Sequence, residues 1–119
     1  MAAPRDPRIV PEQMLEAILD IEQITAGRSF ETYAADRPTR RAVERCIEIV
    51  SEASRRVPAE LKQNHPAIPW PKIASIGNVL RHDYDVVNNA TIWHAATVDL
   101  LPLKAAVQVL LRELEADEP

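Results

Sequence analysis

Apolar side chains recur every three or four residues from Ile92 through Ala96, Leu100, Leu103, Val107 and Leu110 to Leu114, and an α-helix returns such a series to a single face. A sheet alternative is poorly supported. Two glycines and 4% aromatic residues supply neither the frequent turns nor the strand-forming side chains of an all-β sandwich. Nine of the ten prolines fall at Pro4–Pro11, Pro38, Pro58, Pro66–Pro71 and Pro102, where most of them punctuate helices. Pro102 falls inside the long series; it lacks a backbone donor and crowds the carbonyl four residues earlier, so a kink or break is predicted near Val98–Pro102.

Three more helices follow from the same reasoning. Met14, Ile18, Ile21 and Ile24, with Leu15 and Leu19 at the margin, predict a first helix from Glu12 to about Ala26, stopped by Gly27. Asp36 is placed to cap a second, in which Ala42, Val43, Cys46, Ile49, Val50 and Ala53 form an apolar stripe that ends near Arg56, before Pro58. Ala59–Lys62 predicts at most one helical turn, followed by a loop in which His65 has no expected chemical role. A third helix starts around Trp70 and Pro71, since proline suits a first turn. It turns Ile73, Ile76, Val79 and Leu80 inward and runs to about His82 or Tyr84. Asn88 or Asn89 caps the fourth, which carries the long series. The expected fold is all-α, a four- to five-helix up-and-down bundle, with residues 1–119 forming one domain and residues 1–10 expected to be flexible.

Composition narrows the classes of function. At 46% hydrophobic and 27% charged the chain is too apolar for intrinsic disorder. The single cysteine, Cys46, excludes an intrachain disulfide and a cysteine-rich zinc site, and its place in the apolar stripe marks it as a small buried residue rather than a reactive thiol. The sequence shows no apolar run typical of a signal peptide and no stretch of the roughly 18 apolar residues that a membrane span needs, so a soluble, cytoplasmic protein is expected. The net charge of −4 is the reverse of what binding nucleic acid chiefly by phosphate neutralisation requires, so any RNA contact must be local. Arg37, Arg40, Arg41, Arg45, Arg55 and Arg56 alternate with Glu44, Glu48 and Glu52, the pattern of a solvated helix face with i,i+4 pairs.

Residues Ile76 to Asp85 bring a polar cluster to the end of an otherwise amphipathic helix. Asn78, Arg81, His82 and Asp85 share one face at i, i+3, i+4 and i+7 spacing. His82 titrates near neutral pH and can give or take a proton, while Arg81 is a permanent donor suited to a phosphate. These are parts of a metal-independent ribonuclease, and equally of an ordinary surface helix. His82, Asp83, Asp85 and His94 lack the i,i+4 spacing of a helical metal site. No glycine-rich phosphate loop is present, so neither a metal nor another cofactor is expected.

The chain resembles the HepT-like family of the HEPN superfamily. The likeness is carried by the Leu15–Thr25 helix followed by Ala26-Gly27-Arg28-Ser29-Phe30, by Ala35-Asp36-Arg37 and Ile47–Ala53, and by His65-Pro66-Ala67-Ile68-Pro69-Trp70, His82-Asp83-Tyr84 and Asp99-Leu100-Leu101-Pro102-Leu103. The resemblance implies an all-helical homodimer paired with a nucleotidyltransferase antitoxin and, in active members, an RNA-cleaving toxin that needs no metal. The family motif is an arginine, a polar residue next to it, a histidine five positions after the arginine and a tyrosine two positions later. Asn78, His82 and Tyr84 match, and Gly77 stands where the arginine belongs. The resemblance thus implies catalysis by His82 with Asn78, Arg81 as the nearest replacement for the missing cation, and Tyr84 as the hydroxyl that the partner adenylylates.

Gly77 keeps two readings open: a ribonuclease, or a catalytically inactive module of the same fold that docks a nucleotidyltransferase or a nucleotide. A helical dimerisation domain without a ligand is the third. Gly77 also falls on the Ile73–Leu80–Tyr84 side, where a missing side chain lets another helix approach closely. Its cost of about 1 kcal/mol in helix propensity calls for compensation of the kind a dimer contact would give.

Overall fold

Pro11 shifts the start of the first helix. Its missing N–H is harmless only in a first turn, and α1 accordingly spans Ile9–Thr25 rather than beginning at Glu12. The computed structural model describes residues 6–82 and 88–116, with the backbone alone for Arg81 and His82. Asp6 secures the entry to α1, its carboxylate accepting from the backbone N–H and side chain of Arg8. Gly27 stops the helix with φ +73, a left-handed conformation that costs glycine nothing.

A short helix not foreseen in the sequence follows, α2 at Phe30–Ala35. It rests on a capping box in which the Ser29 hydroxyl accepts from the Thr32 backbone at 3.1 Å and the Thr32 hydroxyl accepts from the Ser29 backbone at 3.0 Å. Its anchor is Tyr33, fully buried and tilted against Trp93 at a centroid distance of 5.1 Å.

Asp36 caps α3, Arg37–Arg55, by accepting from Thr39 N–H. The buried stripe of α3 is Val43, Ile47, Val50 and Ala53, while Cys46 and Ile49 lie at its half-buried margin. The charged face is less solvated than its composition suggests: Glu44 is only 6% exposed and pairs with Arg41 at 3.2 Å. Arg41–Glu44 and Arg45–Glu48 pair across it at i,i+3 spacing.

After α4, Ala59–Gln63, the chain turns into α5, Trp70–His82. Small buried serines let α3 and α5 approach, and the Ser51 hydroxyl donates to the Ala74 carbonyl at 2.9 Å. Asn88 caps α6, Asn89–His94, its side chain accepting from Ala90 N–H at 2.8 Å and Thr91 N–H at 3.2 Å.

The helix then neither breaks nor continues as α. A π turn at Ala95–Asp99 leads into α7, Leu100–Ala116. Pro102 accounts for it: no N–H at 102 reaches the Val98 carbonyl, and the wider turn, closed by Leu100 N–H to Ala95 carbonyl, gives the ring room. Elements α6 to α7 thus form one helix, Asn89–Ala116, of 28 residues, long and apolar enough by length and composition to cross a membrane. The long apolar series from Ile92 to Leu114 marked this length in the sequence, and the departure from α falls at the predicted Val98–Pro102 region and the three residues before it. Within the fold its residues Ile92, Ala95, Ala96, Leu100, Leu103 and Val107 join the core built by Met14, Ile18 and Ile21 of α1.

The architecture is all-α, and α1 is its centre, packed on α3 on one side and on the π turn and α7 on the other, with α5 outside α3. Lys104 of α7 ties to Glu22 of α1 at 2.8 Å.

Candidate active site at the end of α5 and the adjoining groove

The side of α5 that meets the core carries Ile73, Gly77 and Leu80, all buried. Gly77 is therefore buried against the chain's own residues. Val79, expected to face inward, is 40% exposed; it stands one residue off the stripe, about 100° around the helix from Leu80. Asn78 is exposed. Arg81 and His82 close the helix at one turn and slightly more beyond Asn78, so their backbone positions follow Asn78 along one flank. Tyr84, with Asp83 and Asp85, lies outside the described residues.

On the opposite flank of α5 a groove of about 340 Å³ opens against α6 and the π turn, and it gathers three residues to which the sequence gave no joint role. His94 Nδ1 lies 3.3 Å from both carboxylate oxygens of Asp99, and Lys72 Nζ lies 3.5 Å from the same carboxylate. The spacing of His94 and Asp99 hid this contact. Five residues apart on an α-helix they would diverge by about 140°, and the π turn closes that angle. The tautomer protonated at Nδ1 donates to this carboxylate, and the His94 side chain is 62% exposed. Asp99 itself is 23% exposed, held between Lys72 and His94.

The other titratable side chains serve packing. His65 is half-buried, and its Nε2 is buried without a hydrogen-bond partner among the described residues. Burial, reinforced by Asp20, raises the Cys46 thiol above its ordinary range against a smaller pull from Arg45, so the group is a poor nucleophile. Among the described residues no three His, Cys, Asp or Glu side chains are grouped so as to hold a metal ion.

Residues 14–110 match the family described as "Ribonuclease HepT-like". The chain belongs to the HepT-like family. "Probable ribonuclease HepT" of Thermococcus cleftensis is 36% identical over 99 residues, 83% of this chain and 90% of that protein. "Putative RNase TTE0752" of Caldanaerobacter subterraneus is 30% identical, covering 92% of this chain and 97% of its own length. "Putative RNase MJ1216" of Methanocaldococcus jannaschii is 25% identical over 96% of this chain and 94% of its own. No solved structure matches the chain. The HepT-like match takes in Gly77, Asn78, Arg81, His82 and Tyr84, and also the groove residues Lys72, His94 and Asp99.

Proposed function

We propose that this chain is the ribonuclease toxin of a toxin–antitoxin pair, acting in the cytoplasm as a homodimer. In this reading His82 moves a proton to or from the scissile phosphodiester while Asn78 and Arg81 hold its phosphate oxygens. A nucleotidyltransferase antitoxin silences the toxin by placing adenylate on the Tyr84 hydroxyl. The observation that carries the reading is the family match over residues 14–110, among relatives named as ribonucleases.

Cleavage without a metal follows from the chemistry of RNA. The ribose 2′-oxygen attacks phosphorus and gives its proton to a base; the bond to the 5′-oxygen breaks, and that oxygen takes a proton from an acid. Charge on the phosphorane is met by fixed cations and amide donors. Two exposed apolar side chains three residues apart on one helix, Val98 at 48% and Leu101 at 56%, are what a second copy would cover. Light scattering on the eluting protein tests this, and a monomer refutes it.

Gly77 favours one other reading, a non-catalytic module that docks the nucleotidyltransferase or a nucleotide, because the buried position offers no cation. RNA cleavage in chelator by the natural chain, His82→Ala and Gly77→Arg separates the two. Activity of the natural chain that vanishes in His82→Ala supports the nuclease. A silent natural chain with activity gained in Gly77→Arg supports the module.

A further inference from the structure

Charge on the phosphorane of RNA cleavage is met best by a cation held still at the site, and Gly77, on the buried side of α5, supplies none. The neighbouring helix brings one to the same place. Arg55 reaches out of α3 and donates from Nη2 to the Ala74 carbonyl of α5 at 3.1 Å. We propose that Arg55 is a ligand of the scissile phosphate, standing beside Asn78 where Gly77 leaves α5 without a side chain. The proposal rests on the ribonuclease reading above and adds to it a cation from outside the motif helix.

Helix geometry fixes where the guanidinium sits. Within α5 the Ala74 carbonyl accepts from the backbone N–H of Asn78. With that bond at its usual length, Nη2 lies no more than about 6 Å from the Asn78 nitrogen. A helical carbonyl is also flanked by the side chains three and four residues later, which is why serine and threonine fold back onto it. Ser75 does so onto the Lys72 carbonyl of α5, and Thr25 onto the Ile21 carbonyl of α1. For Ala74 the flanking positions are Gly77 and Asn78, so Arg55 meets α5 at their height, and the glycine leaves room for it. Ala74, Asn78, Arg81 and His82 stand at i, i+4, i+7 and i+8, one stripe of the helix. The cation therefore enters that stripe one turn before Asn78.

Two further observations set Arg55 apart from the other arginines of the surface. It stands on a fixed backbone: the Ser51 hydroxyl, one turn earlier on α3 and 0% exposed, donates to the same Ala74 carbonyl at 2.9 Å, which locks the two helices together at this point. Its charge is also not neutralised locally. Arg8, Arg28, Arg41 and Arg45 each meet a carboxylate, whereas Arg55, exposed and held by a neutral carbonyl, has no acidic partner among the described residues. The planar fork of an arginine donates in several directions, so the bond to Ala74 leaves its outer edge for the non-bridging oxygens of a phosphate. Arg55 moves no proton in the step. It donates hydrogen bonds to those oxygens while the 2′-oxygen–phosphorus bond forms and the phosphorus–5′-oxygen bond breaks, the base and acid handling the protons as above.

The test is cleavage of a fluorophore–quencher RNA oligomer in chelator by the natural chain, His82→Ala, Arg55→Gln and Arg55→Lys, with kcat resolved from KM. Binding of a 2′-O-methylated oligomer, which lacks the attacking hydroxyl, is measured alongside across a salt series. Arg55→Gln keeps an amide for the Ala74 carbonyl and is expected to lower kcat by about 100-fold. It is also expected to flatten the slope of log Kd against log salt by about 0.7, the share of one phosphate contact on a single strand. Arg55→Lys returns the charge without the fork, and is expected to recover the slope and only part of kcat. Natural kcat in Arg55→Gln, beside an inactive His82→Ala, overturns this proposal and leaves the ribonuclease reading standing. A loss of kcat with the natural salt slope overturns it too, as the effect of a helix contact rather than a phosphate contact. A natural chain that cleaves no RNA, or no more than His82→Ala does, removes both.

Discussion

Replacing Tyr33 with phenylalanine is expected to stabilise this protein. The hydroxyl is buried in a ring that is 0% exposed, and among the described residues it has no hydrogen-bond partner. An unsatisfied buried hydroxyl forfeits roughly 1–3 kcal/mol of hydration, whereas Tyr33→Phe keeps the ring contact with Trp93. A gain of about 1 kcal/mol would raise the melting temperature by roughly 4 °C in a chain of this size. The same site supplies a second signature at high pH. Burial first, and the nearby Glu44 second, push the Tyr33 phenol up from 10.0 to about 12. This is an acid with its folded pKa above its unfolded one, so the native state binds the extra proton. Its stabilising contribution is complete below about pH 10 and is lost as pH rises towards 12. The loss is of order 2 kcal/mol, and Tyr33→Phe lacks it. Urea denaturation of both proteins from pH 8 to pH 11.5 reads the difference directly, since every other group is common to the two and cancels. A destabilisation above about 1 kcal/mol at pH 8, or identical alkaline behaviour of the two proteins, would refute the reasoning.

Three further outcomes are expected. Ser51→Ala removes the hydroxyl that joins α3 to the Ala74 carbonyl and is expected to cost about 1 kcal/mol; Ser51→Val, which also overfills a site that is 0% exposed, is expected to cost about 2–3 kcal/mol more, both read from denaturant midpoints. Asn88→Ala deletes the cap that accepts from Ala90 and Thr91 and is expected to cost about 1 kcal/mol, with amide exchange quickening in the first turn of α6 before it does in α7. Cys46, with its thiol raised by burial, is expected to react with iodoacetamide more slowly than an unfolded control at pH 8, the gap narrowing as pH climbs; parity at pH 8 by mass spectrometry contradicts the burial argument.

The long helices were legible because each must lay a stripe on the core. Met14, Ile18 and Ile21, then Val43, Val50 and Ala53, then Ile73 and Leu80 announce it without any tertiary knowledge. What escaped depends on contacts between elements. The six residues of α2 carry no stripe; their helix comes from the Ser29–Thr32 box and from Tyr33 finding Trp93. Val79 is exposed where the pattern turned it inward, and Ile47, absent from the predicted stripe, is buried, because the meeting of α3 and α5 sets the exact phase of each face. Glu44 looked like one more charge on a solvated surface, and its burial beside Arg41 was invisible to composition. The residues from Gly77 to Tyr84 stood out as candidates through their resemblance to the family motif. Lys72, His94 and Asp99 did not, since no helical period joins them and only the folded π turn does.

That turn also bears on how the chain tolerates changes of length. A π turn is an α-helix that has absorbed one surplus residue, so removing Thr97 should let the segment close as ordinary α-helix while Ile92 before it and Leu103 beyond it keep their seats on α1. The histidine and aspartate at its two ends would then stand four apart and remain neighbours. Removal of a single residue elsewhere in Asn89–Ala116 has no such outlet and rotates everything downstream by about 100°, carrying Leu103 and Val107 out of the core. One-residue deletion should therefore be tolerated between Ala95 and Asp99 and nowhere else along this helix's interior, which makes its length, unlike that of α1 or α3, adjustable without refitting the protein around it.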